Sequence, residues 1–151
     1  MKLVVHVDGG ARGNPGPAAA AAVLATPDGQ VVDEAAERIG DATNNVAEYR
    51  ALLLGLERAV ALGATEVELV NDSELVAHQV NGRYRVKHPE LIPLYRAARD
   101  ALGGFQTWSL TPVPRRENAM ADALVNQALD CGRAGRVARV DADSDRRDRD
   151  P

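Results

Sequence analysis

Short apolar runs alternate along this chain with longer stretches of helical periodicity. Residues 3–8 are mainly β-branched and predict a strand, which the stretch from Gly9 to Pro17, with four Gly and two Pro, brings to a stop. Residues 18–25 and 30–38 flank Pro27-Asp28-Gly29, a turn signal, and predict a hairpin. From Asn45 to Leu62 the period becomes helical, with Tyr49, Leu52, Leu53, Leu56 and Val60 on one face and Gly63 as the stop. Residues 66–71 read as a strand, 73–80 as a short helix, and 90–102 as a helix closed by Gly103-Gly104. A last strand over 105–111 and a last helix over 118–131 complete the series. Three strands, a helix, a strand, two helices, a strand and a helix predict an α/β fold. Its mixed sheet would carry helices on its faces, the hairpin supplying the antiparallel part.

Beyond Gly132 the periodicity ends. Residues 133–151 hold six Arg and five Asp and predict a disordered, charged tail or linker, leaving one domain over residues 1–132. A chain of 151 residues, 45% apolar and 26% charged, suits one globular domain with a real core. It holds no apolar run near the roughly 20 residues of a helical membrane span. The N-terminus shows no secretory pattern, and the single Cys131 excludes an internal disulfide or a multi-cysteine zinc site, so a cytoplasmic protein is expected.

Charge complicates the picture. The tail sums to +1, so the −4 of the whole chain leaves −5 on residues 1–132. An acidic domain binds a polyanion only if its acids gather around divalent metal and its few bases line the rest. Four carboxylates suit that role. Asp8 and Asp72 end predicted strands at the carboxyl edge of the sheet, where open α/β sheets form ligand crevices; an Asp there also serves as an ordinary cap. Glu48 pairs with Asn45 as a capping box, yet it precedes Leu52 by one turn and so faces the sheet. Asp122 shares a face with Val125 and Leu129, where an unpaired carboxylate costs several kcal/mol, so a cation is expected opposite it. Converging carboxylates select Mg²⁺ or Mn²⁺, and four of them can hold two ions about 4 Å apart, the arrangement that cleaves phosphodiesters. The glycines after Asp8 lack the Lys-Ser/Thr of a P-loop, but their open backbone suits close contact with a nucleic-acid backbone.

Four segments bring these residues together: Val7-Asp8-Gly9-Gly10-Ala11-Arg12-Gly13-Asn14-Pro15-Gly16-Pro17, Thr43-Asn44-Asn45-Val46-Ala47-Glu48-Tyr49, Asn71-Asp72-Ser73, and Glu117-Asn118-Ala119-Met120-Ala121-Asp122. In order and spacing they resemble type 1 ribonuclease H, over residues 3 to about 131. The resemblance implies a ribonuclease-H-like fold, a five-stranded mixed sheet with helices on both faces. It implies an endonuclease that cuts the RNA strand of RNA–DNA hybrids with two Mg²⁺ ions, Mn²⁺ substituting, to leave 5′-phosphate and 3′-hydroxyl ends. Asp8, Glu48, Asp72 and Asp122 match the catalytic, metal-binding set, with Glu48 approaching the ribose 2′-hydroxyl. Gly9 and Gly10 match main-chain contacts to the RNA strand, Asn14, Thr43 and Asn44 the polar grip on the DNA strand, Asn45 a further substrate-binding position, and Ser73 a support of the site.

Two departures accompany the match. Bacterial relatives carry a long basic protrusion between the fourth and fifth strands; this chain has the short form, Asn81 to Pro89, in which Arg83, Arg85 and Lys87 stand in for it and Tyr84 offers a ring for stacking. Hybrid binding should then be weaker and more salt-sensitive. The loop before the last helix, Pro114-Arg115-Arg116-Glu117, lacks the histidine many relatives place there, leaving Arg115, Arg116 or Glu117 to substitute. His6 reads as a packed strand residue. The alternative function is a hybrid-binding module that does not cut. The expected partner is the RNA–DNA hybrid, with no membrane and no obligate protein partner, the protein acting as a monomer.

Overall fold

The computed structural model describes residues 1–131. The charged segment 133–151 lies outside the described residues. Ten elements follow in order: β1 (Lys2–Ala11), β2 (Gly16–Ala25), β3 (Val31–Ala42), α1 (Asn44–Ala61), β4 (Glu66–Asn71), α2 (Glu74–Val80), α3 (Ile92–Leu102), β5 (Thr107–Pro112), a 3₁₀ turn (Arg115–Asn118) and α4 (Ala119–Cys131). The sheet runs β3-β2-β1-β4-β5. β1, β2 and β3 pair antiparallel, whereas β4 lies parallel to both β1 and β5. This is the five-stranded mixed sheet expected from the order of elements. Among the described residues no helix is long and apolar enough to cross a membrane.

Two cores hold the layers together. The larger lies between the sheet and α1, α2 and α3, built from Leu3, Val5, Val7, Leu24, Tyr49, Leu52, Leu56, Leu69 and Leu102 among others. Each of these fully buried side chains contributes about 1.5–3 kcal/mol. The smaller core packs Ala121, Leu124, Val125, Ala128 and Leu129 of α4 on Ala19, Ala21, Val23 and Ala36 of the opposite face. Helices therefore cover both faces. α1 sits close to β1 because Gly55 faces it: a methyl there would come within 2.7 Å of Val7 Cγ1 and 2.9 Å of Val5 Cγ1.

Three details differ from the sequence pattern. β1 does not stop at Asp8 but runs on through Gly9, Gly10 and Ala11, which pair with Ala20, Ala19 and Ala18 of β2. Ladder bonds on that side outweigh the weak strand preference of glycine, so the connecting loop is only Arg12 to Pro15. The cap of α1 is Thr43, whose hydroxyl accepts from Val46 N at 3.2 Å, rather than Asn45 in a capping box. Val60, on the predicted buried stripe, is 61% exposed, because the last turn of α1 presents Ala59, fully buried, to the core in its place. Gly63 ends that helix as expected, with φ +87°.

Candidate active site

Asp8 lies where the sheet divides. Parallel pairing of β1 with β4 ends at His6 opposite Val70, while antiparallel pairing with β2 continues past Asp8, opposite Ala21. β4 ends at Asn71, so Asp72 leaves the sheet beside Asp8. The opening turns of α1 lie over the same edge and deliver Glu48, whose Oε1 accepts from Gly9 N at 3.3 Å. A side chain on Gly9 is impossible without moving this junction: its Cβ would fall on the Ala47 carbonyl and 2.6 Å from Glu48 N. Oxygens of Asp8, Glu48 and Asp72 consequently lie within 4.8 Å of one another. From the other face, α4 brings Asp122 within hydrogen-bond reach of Asp8.

Such a cluster resists ionisation. Burial first, then the neighbouring Asp72 and Asp122 carboxylates, push Asp8 up from 3.8 to about 8. Burial likewise raises Glu48, with Asp8 and Asp72 adding to it; the Gly9 N–H and Arg115 pull the other way. Among the described residues no cation stands opposite Asp122: that side chain faces Asp8, an acid. Arg115 instead brings its Nε to 3.7 Å from Asp72 Oδ2 while its side chain stays 79% exposed. Asp72 Oδ2 is itself buried with no hydrogen-bond partner among the described residues. An oxygen-only donor set whose negative charge one exposed arginine offsets only in part, with a buried carboxylate oxygen that has no hydrogen-bond partner, fits a hard divalent cation.

Around the acids, several residues singled out from the sequence have structural partners. Asn14 Oδ1 accepts from Asn44 N at 3.0 Å, and Asn44 Oδ1 accepts from Ala11 N at 2.8 Å. That exchange fastens the β1–β2 loop to the start of α1 beside the acids, with Thr43 capping the helix and Asn45 half-buried in its first turn. Gly10 lies near Val125, which is 3.8 Å from where its Cβ would be. Ser73 caps α2, its Oγ accepting from Val76 N at 3.2 Å. Arg83, Arg85 and Lys87 are all exposed on the loop after α2, outside the acid cluster. His6 is half-buried in β1, and burial lowers its pKa, as befits a packed neutral imidazole.

Three residues that carried no role in the sequence pattern stand out, one beside the acids and two away from them. Asn118, fully buried, donates from Nδ2 to Val7 O at 2.8 Å and so ties the turn before α4 to the strand that bears Asp8. Its place in the quoted segment four residues before Asp122 was the available signal. Tyr95 and Arg96 at the start of α3 join Arg83 and Arg85 around one concavity. The excess of base over acid between residues 83 and 99, five cations against Glu90 alone, pointed to this side of the molecule.

Comparison with known proteins agrees with this geometry. The family described as reverse transcriptase-like matches residues 6–128. The bifunctional protein Rv2228c of Mycobacterium tuberculosis is 49% identical over 144 residues, which are 95% of this chain and 39% of that protein. The chain thus spans about two fifths of that relative's length. The solved N-terminal RNase H domain of Rv2228c superposes with a TM-score of 0.84 at 50% identity, covering 86% of this chain and 100% of that one. Ribonuclease HI of Halobacterium salinarum is 49% identical over 129 residues, 85% of this chain and 65% of that protein. LC11-RNase H1, solved in complex with an RNA/DNA hybrid, gives a TM-score of 0.81 at 39% identity, covering 85% of this chain and 96% of that one.

Proposed function

The chain belongs to the reverse-transcriptase-like family as a type 1 ribonuclease H, and from that premise we propose that it is an endonuclease cutting the RNA strand of RNA–DNA hybrids. The observation that carries the proposal is the convergence of Asp8, Glu48 and Asp72 within 4.8 Å, with Asp122 facing Asp8 from the opposite helix. A set so costly to ionise has no structural use, since neutral side chains would pack the same edge more cheaply.

Asp8, Glu48, Asp72 and Asp122 would hold two Mg²⁺ ions, with Mn²⁺ as a substitute. Bound there, the ions supply Lewis-acid neutralisation of the phosphate and of the charge that develops on the leaving oxygen. The protein's own part is placement. Gly9 N fixes the Glu48 carboxylate, which in this reading approaches the ribose 2′-hydroxyl that distinguishes RNA from DNA. Gly9 and Gly10 run bare backbone along the RNA strand. The loop fastened by Asn14 and Asn44, with Thr43, Asn45 and Ser73, borders the phosphates, and Arg83, Arg85 and Lys87 extend the grip. Water attacks phosphorus in line as the bond to the 3′ oxygen breaks and that oxygen takes a proton, leaving 5′-phosphate and 3′-hydroxyl ends. Arg115, beside Asp72 where relatives place a histidine, offsets charge at this edge.

The test is cleavage of an end-labelled hybrid with Mg²⁺ or Mn²⁺ and with chelator, alongside duplex RNA, duplex DNA and single-stranded RNA. Internal cuts confined to the hybrid's RNA strand, and lost in chelator and in Asp72→Asn, are expected. Undiminished cleavage by Asp72→Asn would overturn the assignment, and binding without cutting under either metal would favour the non-cutting module.

A further inference from the structure

The loop after α2 and the first turn of α3 enclose an open concavity of about 530 Å³, lined by Arg83, Tyr84, Arg85, Ile92, Tyr95 and Arg96. That volume falls in the range of small-ligand sites. No hydrogen bond or ion pair occupies the guanidinium groups of Arg83, Arg85 and Arg96 among the described residues, so three cations converge without an acid to neutralise them. The acids nearest in sequence are Glu90, which lies 4.0 Å from His88 Nδ1, and Asp100, one helical turn beyond Arg96; neither forms an ion pair with the three arginines among the described residues. Cationic charge collects here on a chain that is otherwise acidic, which costs self-repulsion unless an anion relieves it.

The aromatic half of the site is fixed as well. Tyr84 is 52% exposed, yet it is not free to wander. Its ring rests against His78 of α2, centroids 4.7 Å apart, and the backbone N–H groups of Arg83 and Tyr84 both donate to His78 O, at 2.8 and 3.1 Å. Tyr95 is half-buried across the concavity. Arginines alone suit any phosphate backbone, and a duplex would use them. On a duplex two tyrosines inside the concavity would meet only sugars and phosphates, since the base faces are stacked within. An unpaired nucleotide offers both parts, a phosphate for the guanidinium groups and a free ring face for tyrosine.

We propose that this concavity binds an unpaired nucleotide of a single strand continuing from the hybrid, so that the protein favours hybrids with a single-stranded flank over blunt ones. The proposal rests on the hybrid as substrate. α2 links the two regions: it starts directly after Asp72 and Ser73 and ends at Val80, so its seven residues span about 10 Å between the acid cluster and the loop. A strand leaving the cluster can therefore follow α2 to the concavity.

Steady-state cleavage of a blunt hybrid and of the same hybrid with an oligothymidine extension, placed on either strand, tests this. The extension is expected to lower KM by about fivefold or more, the scale of one stacked base, with kcat unchanged. Arg96→Gln and Tyr84→Ala should each lose most of that gain, and Arg96→Gln should keep wild-type kinetics on the blunt hybrid. Fluorescence anisotropy of labelled oligothymidine on the metal-free protein gives a readout independent of cleavage. There Arg96→Gln should reduce the salt slope by about 0.7, as expected for one lost contact to a single strand. Equal KM for blunt and extended hybrids would overturn the proposal. So would an equal loss on both hybrids in Arg96→Gln, which marks a duplex grip, or binding of free thymidine monophosphate as tight as that of the oligomer. Should no hybrid be cut at all, the proposed activity fails, while the anisotropy arm still decides the concavity.

Discussion

Replacing Asp8 by Asn is expected to stabilise the metal-free protein at about pH 8 while abolishing cleavage. Asp8 is buried, titrates near 3.8 in an unfolded chain and at about 8 in the fold. Between those values the native state holds a proton that the unfolded state has released, so stability falls as pH rises through that window. Each pH unit of difference is worth about 1.4 kcal/mol, which sets a ceiling of roughly 6 kcal/mol for an isolated group. Part of the rise comes from the neighbouring Asp72 and Asp122 carboxylates, which stay in place, so removing Asp8 relieves only part of the sum, about 2–4 kcal/mol at pH 8. Asn keeps the shape and cannot ionise. Urea unfolding with chelator should show the variant ahead at pH 8 and the two proteins converging below about pH 3, where Asp8 is protonated in both states. Excess Mg²⁺ should reverse the order at pH 8, because it stabilises only the protein that retains its full ligand set. A variant no more stable than wild type at pH 8 in chelator, or an advantage that persists unchanged below about pH 3, would refute the electrostatic reading of this cluster.

Gly9→Ala should cost about 3 kcal/mol or more in urea unfolding and depress cleavage, since the methyl meets the Ala47 and Glu48 backbone rather than a movable side chain. Arg115→Gln should tighten Mn²⁺ or Mg²⁺ binding in calorimetry by about two- to fivefold, the scale of an exposed ion pair, while lowering kcat; unchanged affinity would mean that Arg115 does not compete for Asp72. Ala21→Val, opposite Asp8 and beneath α4, should lose about 1–3 kcal/mol by overpacking. It should also slow cleavage at temperatures where the variant remains folded, by displacing Asp122; normal activity there would show that α4 has room to yield.

Sequence patterning reached the order of elements, placed β4 at 66–71 as found, and set α1 within a residue of its observed ends. These are the segments whose periodicity is strong and whose stops are local. The reading ran short wherever a distant partner decided. Gly9, Gly10 and Ala11 look like a chain break until β2 is alongside to pair with them. Val60 keeps the helical spacing of the buried stripe, but the spacing does not say that the small Ala59 beside it is the residue turned to the core. Asp122 was placed correctly on an apolar face; the inference that a cation must oppose it failed because the opposing group is another acid. The segments carrying the acids could be recognised by their order, whereas Tyr95 and Arg96 could not be joined to Arg83 and Arg85, since only the return of α3 onto the loop brings them together.

The construction of β2 explains how four acids reach one point. Ala18 to Ala22 are five consecutive alanines, all fully buried, in a strand where bulky β-branched residues would be preferred. Alternate members face opposite layers: Ala20 and Ala22 lie in the core beneath α1, Ala19 and Ala21 in the core beneath α4. Small side chains on both faces thin the sheet at its centre, and Gly55 does the same for the helix above. α1 and α4 thereby approach β1 from opposite sides closely enough for Glu48 and Asp122 to meet Asp8. Larger residues at these positions would bury more apolar surface but would hold the helices apart. The strand therefore gives up packing that a purely structural sheet would keep, and the layers α1–β1–α4 gain the separation at which carboxylates from both faces come together at Asp8.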